Sequence, residues 1–331
     1  MKAYIVDRYK RPMRASEIAE PRIGDHDVLV EIRAAGVNML DAKLRDGEFK
    51  LVLPYKAPFI LGHDLAGIVT RVGPAATRFS TGDEVYGRVR DGRIGTFAER
   101  IAAHEDDLAL KPANLTMAEA ASVPLVALTA WQALAERANL QPGQKVLVHA
   151  GSGGVGTYAI QLAKHLGATV ATTTGTSNVE WVRALGADLV IDYRTQDFDT
   201  LVHDYDVVLD SLGGETLARS LRVLKPGGIA IGIAGPPDPA FAREQRLALP
   251  LRLAMTLLSL KTRRAAQRHG TRYSFLFMHA SGAQLDTITG LLDTGTLRPI
   301  LDHTYPFDAA PDALAHVESG RAKGKLVITN P

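Results

Sequence analysis

The sequence predicts an α/β protein in which a β-rich unit accompanies a doubly wound parallel sheet. Three observations predict it. From Val146 onward, short apolar runs alternate with segments of helical periodicity, the βαβα pattern of a parallel sheet. A glycine-rich turn, Gly151-x-Gly153-x-x-Gly156, lies between the first of those strands and its helix. Before Ala118 the chain instead alternates apolar and polar residues at period two, the signature of half-buried strands.

The elements follow in chain order. Val28–Ala34 and Leu65–Val72 alternate as strands, and Thr81-Gly82-Asp83 is a turn leading into a strand that ends near Val89. Ala118–Leu134 turns helical, with Pro124 breaking it in two. Parallel strands are expected at 146–149, 169–174, 188–192, 206–210 and 228–234, with helices at 155–166, 178–185 and 214–224 between them. Pro226-Gly227-Gly228 reads as the turn before the fifth strand. Asp238–Arg272 is basic and rich in Leu and Ala: either an amphipathic helix on a membrane surface or a solvated excursion. Tyr273–Met278 is a sixth strand candidate, Ser281–Leu292 a helix and Lys325–Thr329 a terminal strand. Two domains are expected, residues 1–124 with 280–331, and residues 125–279.

Composition bounds the function. At 331 residues, 46% hydrophobic and 22% charged, the chain is an ordinary globular protein. A net charge of +2 gives no global case for nucleic-acid or membrane binding. The absence of cysteine excludes disulfides and thiolate metal sites. No apolar run reaches the length of about 18 residues that spans a bilayer, and MKAYIVDRYK lacks a signal-peptide core, so a cytoplasmic protein is expected.

The glycine turn points to a dinucleotide. Gly151 permits the tight turn, Gly153 lets the backbone approach a pyrophosphate, and Gly156 brings the helix close to the sheet. Gly153, Gly154 and Val155 then present the helix N-terminus to the phosphates. NAD-binding units carry an acid about 20 residues on, for the ribose 2′-OH. Here the second strand ends in Thr172, Thr173, Thr174, Gly175, Thr176, Ser177, Asn178, and no carboxylate appears before Glu180. Neutral donors there favour NADP(H); the other reading of the run is a plain polar turn. Arg183 and Arg194 are the cations available for a 2′-phosphate.

Several motifs together resemble the medium-chain dehydrogenase/reductase superfamily: Ala34-Ala35-Gly36-Val37-Asn38-x-x-Asp41, Leu61-Gly62-His63-Asp64-x-Ala66-Gly67, Gly82-Asp83-Glu84-Val85-Tyr86-Gly87, Pro124–Trp131, Asp210-Ser211-Leu212-Gly213-Gly214 and Lys323-Gly324-Lys325. Within it the chain is most similar to the zinc-free quinone oxidoreductases, including reticulon-interacting-protein-like members. The resemblance implies a GroES-like β-rich catalytic domain plus a Rossmann domain for NADP(H). It implies zinc-independent, NADPH-dependent hydride transfer to a quinone or similar conjugated carbonyl. The alternatives are an enone or enal C=C reductase, or a cofactor-binding protein with little turnover. Where zinc-dependent relatives place metal ligands, this chain has Asn38, His63-Asp64 and Leu125, which is no zinc set. His63 is then a hydrogen-bonded pocket or core residue.

By the same resemblance the nicotinamide faces the interdomain cleft opposite Asn38 and Thr129. Asn38 bonds the substrate oxygen or the nicotinamide ribose, and Asp41 orients its loop or caps a helix. Ser177, Asn178 and Tyr193 hold the 2′-phosphate. Leu212, Gly213, Ile233 and Ala234 line the ribose and nicotinamide, and Thr174 and Lys325 complete the cofactor set. Lys43 and Phe49 stand where quinone oxidoreductases often show tyrosines; Lys43 is a proton donor, an oxyanion anchor or a surface residue. Relatives often dimerise, which implies a homodimer through Tyr273–Met278.

Overall fold

The computed structural model describes residues 1–330. The chain divides into two compact units, Thr129–Met278 and Met1–Leu128 joined by the chain from His279 onward.

The Thr129–Met278 unit is built on six strands: β1 (Lys145–Val148), β2 (Thr169–Thr174), β3 (Leu189–Asp192), β4 (Tyr205–Asp210), β5 (Leu224–Gly232) and β6 (Arg272–Phe275). They lie in the order β3-β2-β1-β4-β5-β6, and every neighbouring pair is parallel. The strand order therefore reverses between β1 and β4, where doubly wound sheets open a crevice at the carboxyl ends of their strands. Parallel strands of such a sheet are buried on both faces and run mostly apolar, and Val146, Leu147 and Val148 are all fully buried.

Helix α1 (Gly154–His165) follows the turn after β1 and buries Tyr158, Ala159, Ile160, Leu162 and Ala163. Three of the expected elements differ. β5 begins at Leu224, so Pro226 and Gly227 lie inside it as an irregularity, with the register slipping between Tyr205 and Val207. Gly227, at φ 82, takes the left-handed conformation that this irregularity needs. β6 stops at Phe275 rather than Met278, because its partner ends at Gly232. The segment 178–185 is a 3₁₀ turn, Thr176–Asn178, followed by a short helix, Val179–Arg183.

In the other unit a seven-stranded sheet runs Leu301–Pro306, Lys325–Thr329, Asp27–Val37, Asp64–Val72, Glu84–Arg88, Leu108–Leu110, with Arg100–His104 added beside Asp27–Val37. Asp27–Val37 is its axis. One edge pairs with Asp64–Val72, while the other pairs with Arg100–His104 over its first half and with Lys325–Thr329 over its second. Its inward residues Val28, Val30, Ile32, Ala35 and Val37 join Leu65, Val69, Val85, Leu326 and Ile328 in one core. The helical stretch after Ala118 forms Met117–Ala121 and Pro124–Trp131, then a π-helical segment, Gln132–Arg137. Pro124 begins the second piece, where its missing N–H costs nothing.

Candidate active site

The first part of the site is the turn between β1 and α1. Ala150 takes φ 53, and Gly151 N donates to Thr173 O on β2. A Cβ on Gly151 would lie 2.2 Å from Thr172 Oγ1, and one on Gly156 would lie 2.3 Å from Ala150 O. These two glycines are fixed by close packing. Gly153 differs: the nearest atom to its Cβ position is Ala150 O at 3.4 Å, so its outer side is open. Gly153 is also the N-cap of α1 and offers no side-chain cap. The first N–H groups of α1, beginning at Gly154 and Val155, therefore face a space that an anionic group fits.

The strand ends beside this turn carry polar atoms without protein partners. Thr174 Oγ1 at the end of β2 and Asp210 Oδ2 at the end of β4 are buried and unpaired. Buried polar atoms are ordinarily satisfied, so two orphans here mark a place for a bound polar molecule. Asp210 Oδ1 accepts from Leu212 N and Gly213 N at 3.2 and 2.6 Å, which shapes the turn after β4. Burial pushes the Asp210 carboxyl above the usual range, partly offset by those two N–H groups. Gly213 has φ 69, and a Cβ there would stand 2.8 Å from Ala234 O. Ile233 N donates to Asp210 O, so Leu212, Gly213, Ile233 and Ala234 meet on one rim.

The loop after β2 forms the far end of this unit's site. Here Gly175 faces Arg194 and Tyr193: a Cβ on it would lie 3.4 Å from Arg194 Nε and 3.6 Å from Tyr193 Oη. The Arg194 guanidinium stands 5.7 Å from the Tyr193 ring centroid. Ser177 is exposed, and Asn178 Oδ1 accepts from Trp181 Nε1. Arg183 instead pairs with Glu180. Sequence reasoning missed Asp192, which ends β3 next to this loop. It is committed locally: Oδ2 accepts from Thr176 Oγ1 at 2.6 Å and Oδ1 from Arg194 N at 3.0 Å. The Thr176 hydroxyl, with Arg194, holds its carboxyl below the usual range. His149 was also missed. It is buried between Thr173 Oγ1 and Ser220 Oγ, and burial lowers its pKa to about 4, so it is neutral at pH 7.

The β-rich unit holds a second, wholly buried constellation. Asn38, Asp41, His63, Asp64 and Lys325 are each at most 5% exposed. Asn38 caps the short helix Met39–Arg45, and Asp41 Oδ2 reaches back to accept from Asn38 N at 2.8 Å. Asp41 thus both caps the helix and fixes the loop. Its Oδ1 meets His63 Nδ1 at 2.6 Å. Asn38 Nδ2 donates to Asp64 Oδ2 at 2.9 Å and more weakly to Gly36 O at 3.4 Å. Lys325 Nζ donates to Asn38 Oδ1, to Val37 O at 3.0 Å and to Asp64 Oδ2 at 3.4 Å. An ammonium on one end of the amide and a carboxylate on the other determine its orientation. Leu125 N completes Asp64 at 3.0 Å. Burial pushes the Asp64 carboxyl up and the Lys325 ammonium down, and each charge opposes the shift of the other.

These residues do not fit a zinc ion. Asp41 holds Nδ1 of His63 and leaves Nε2 without a partner, but a lone imidazole is no zinc set: Leu125 offers no side-chain donor, and the Lys325 ammonium already stands among Asn38 and Asp64. Among the described residues no group of three His, Cys, Asp or Glu is arranged to hold a metal. Outside the cluster, Lys43 is half-buried beside Glu48 at 3.8 Å, and Phe49 packs on the core. Thr129 is buried on the helix Pro124–Trp131.

A sheet of this strand order with an open glycine turn at its reversal point, together with a GroES-like β unit, defines the class of nicotinamide-dependent oxidoreductases. Residues 24–113 match the alcohol dehydrogenase GroES-like domain family and residues 185–328 match the zinc-binding dehydrogenase family. The chain is 37% identical to the 2-methylene-furan-3-one reductase of Solanum lycopersicum, over 95% of this chain and 74% of that protein. It is 33% identical to the mouse NAD(P)H oxidoreductase RTN4IP1, mitochondrial, over 99% and 89%. The solved quinone oxidoreductase of Coxiella burnetii superposes with a TM-score of 0.87 at 29% identity, covering 99% of both chains. The chain belongs to the medium-chain dehydrogenase/reductase superfamily and is an NAD(P)H-dependent oxidoreductase with a Rossmann and a GroES-like unit.

Proposed function

We propose that the protein uses NADPH to reduce a quinone or similar conjugated carbonyl, without zinc. One observation carries the cofactor choice: the loop after β2 has no carboxylate on its own residues, and Arg194 and Tyr193 close over it at Gly175. A 2′-phosphate there meets a guanidinium, a phenol and the Ser177 hydroxyl, while the nearest acid, Asp192, is tied to Thr176 and Arg194. The pyrophosphate rests on Gly153, Gly154 and Val155, with Thr174 below and Leu212, Gly213, Ile233 and Ala234 along the nicotinamide end.

The coenzyme supplies the hydride when bound; the protein orients it and excludes water. Hydride plus one proton from solvent converts a quinone to its hydroquinone. A conjugated acceptor takes hydride without the strong polarisation that zinc gives a simple ketone. Asn38 acts as an acceptor in this reading. Both its amide hydrogens are engaged, so the second lone pair on Oδ1 is what it offers a ribose hydroxyl. Lys325, expected in the coenzyme set, takes part in this reading by holding Asn38 Oδ1.

A second reading, reduction of an enone or enal C=C bond, is favoured by the similarity to the tomato 2-methylene-furan-3-one reductase. Loss of NADPH absorbance with a panel of quinones and enones, with and without chelator, separates the two. Binding of NADPH with no oxidation across the panel would leave a cofactor-binding protein and end both readings. Stoichiometric zinc by elemental analysis would end the zinc-free one. A homodimer and a cytoplasmic location belong to the same proposal. Light scattering and fractionation test them, and the mouse relative is itself named mitochondrial.

A further inference from the structure

The helix Leu249–Leu258 carries an apolar face that nothing in its own unit covers. Leu249, Leu253 and Leu257 repeat at i, i+4 and i+8 and are 66%, 57% and 70% exposed; Leu258 beside them is 61% exposed. The helix is anchored on its opposite side by Met255 and by Ser259, both buried. Scattered exposed leucines are common, but four on ten residues form a patch, and such patches mark interaction surfaces.

The charge around the patch is one-sided. From Pro239 to Arg268 the chain carries Arg243, Arg246, Arg252, Lys261, Arg263, Arg264 and Arg268, against a single acid, Glu244, which pairs with Arg137. The following helix, Leu260–Arg268, contains four of those cations and no acid. A second copy meeting this face across a two-fold axis would bring like charge against like charge. An anionic lipid surface offers what both features need: an acyl layer for the leucines and phosphates for the arginines.

We propose that the segment 239–268 is a docking surface for an anionic membrane, with Leu249, Leu253 and Leu257 entering the headgroup boundary and Arg252, Lys261, Arg264 and Arg268 contacting lipid phosphates. It goes beyond the reductase reading and does not depend on which acceptor is reduced.

The test is co-sedimentation of the full chain with vesicles of phosphatidylcholine alone or mixed with phosphatidylglycerol. Binding is expected only to the anionic vesicles, weakening as salt rises. The double variant Leu253→Asn/Leu257→Asn should lower the partition coefficient at least about tenfold, and Arg264→Glu/Arg268→Glu by a similar factor. Melting temperature and NADPH affinity should be unchanged in both, since the altered side chains are solvent-facing. Failure of the parent chain to bind, equal binding to neutral vesicles, or binding that survives both variants overturns the proposal. So does a dimer in light scattering that the leucine variant dissociates, which would assign the face to a second copy.

Discussion

Replacing Arg194 by Gln removes the guanidinium over Gly175 and keeps a side chain of similar reach. The backbone N–H of Arg194 still caps Asp192, so the loop keeps its shape. A hydrogen bond to a charged group contributes about 1.5–3 kcal/mol when protected from water. Arg194 is exposed, which screens the pair, so about 1–2 kcal/mol is expected. That converts to a rise of about 5- to 30-fold in the Kd for NADPH. NADH lacks the phosphate, and its Kd should move less than about twofold. Titration of coenzyme fluorescence with the parent and the variant measures both. Equal weakening of the two coenzymes, or no change in either, would refute the assignment of this loop to the 2′-phosphate.

Gly156→Ala forces a methyl to within 2.3 Å of a backbone carbonyl, so α1 must shift. The expected cost is about 1–3 kcal/mol in thermal unfolding, with at least tenfold weaker NADPH binding by titration. Lys325→Met strands the buried Asp64 carboxylate and should destabilise the β-rich unit by about 3–5 kcal/mol in denaturant unfolding; adding Asp64→Asn should recover most of the loss. His149 titrates at about 4 in the folded chain and near 6.5 when unfolded, so the unfolded chain takes up its proton first. Its contribution is therefore complete above pH 6.5 and falls between pH 6.5 and 4, by on the order of 3 kcal/mol. Melts across that range should show His149→Gln with a flatter acid limb than the parent.

The parallel sheet was legible because its signal is local. Val146–Val148 is a short apolar run between Pro142-Gly143 and a glycine turn, which fits a strand buried on both faces, and the spacing Gly151, Gly153, Gly156 states the turn geometry directly. The limits of β5 were hidden because Pro226-Gly227 normally breaks a strand, and only pairing with β4 shows that the ladder continues past it. Tyr273–Met278 reads as one run, yet a strand lasts only as long as its neighbour, and β5 ends at Gly232. Arg194 was recognisable as a cation but not placeable, since its approach to Gly175 arises from the pairing of β2 with β3. The cluster around Asn38 was legible by residue and not by partner. The motifs named Asn38, Asp41, His63, Asp64 and Lys325 separately; the sheet register alone sets Lys325 beside Val37 and Asn38.

Strand Lys325–Thr329 lies 287 residues away in sequence from the amide that its lysine holds. During synthesis the whole sheet of β1–β6 emerges between the two halves of that pairing. Until Lys325–Thr329 arrives, the second edge of Ala34–Val37 is open and the Asp64 carboxylate has no cation beside it. The nucleotide-binding unit is contiguous and can close first. The other unit sets its buried cluster only once Lys325–Thr329 has paired with Ala34–Val37. A nascent chain halted anywhere in residues 279–324 would thus hold the strands of the whole parallel sheet while the Asn38 amide still lacked the ammonium that orients it.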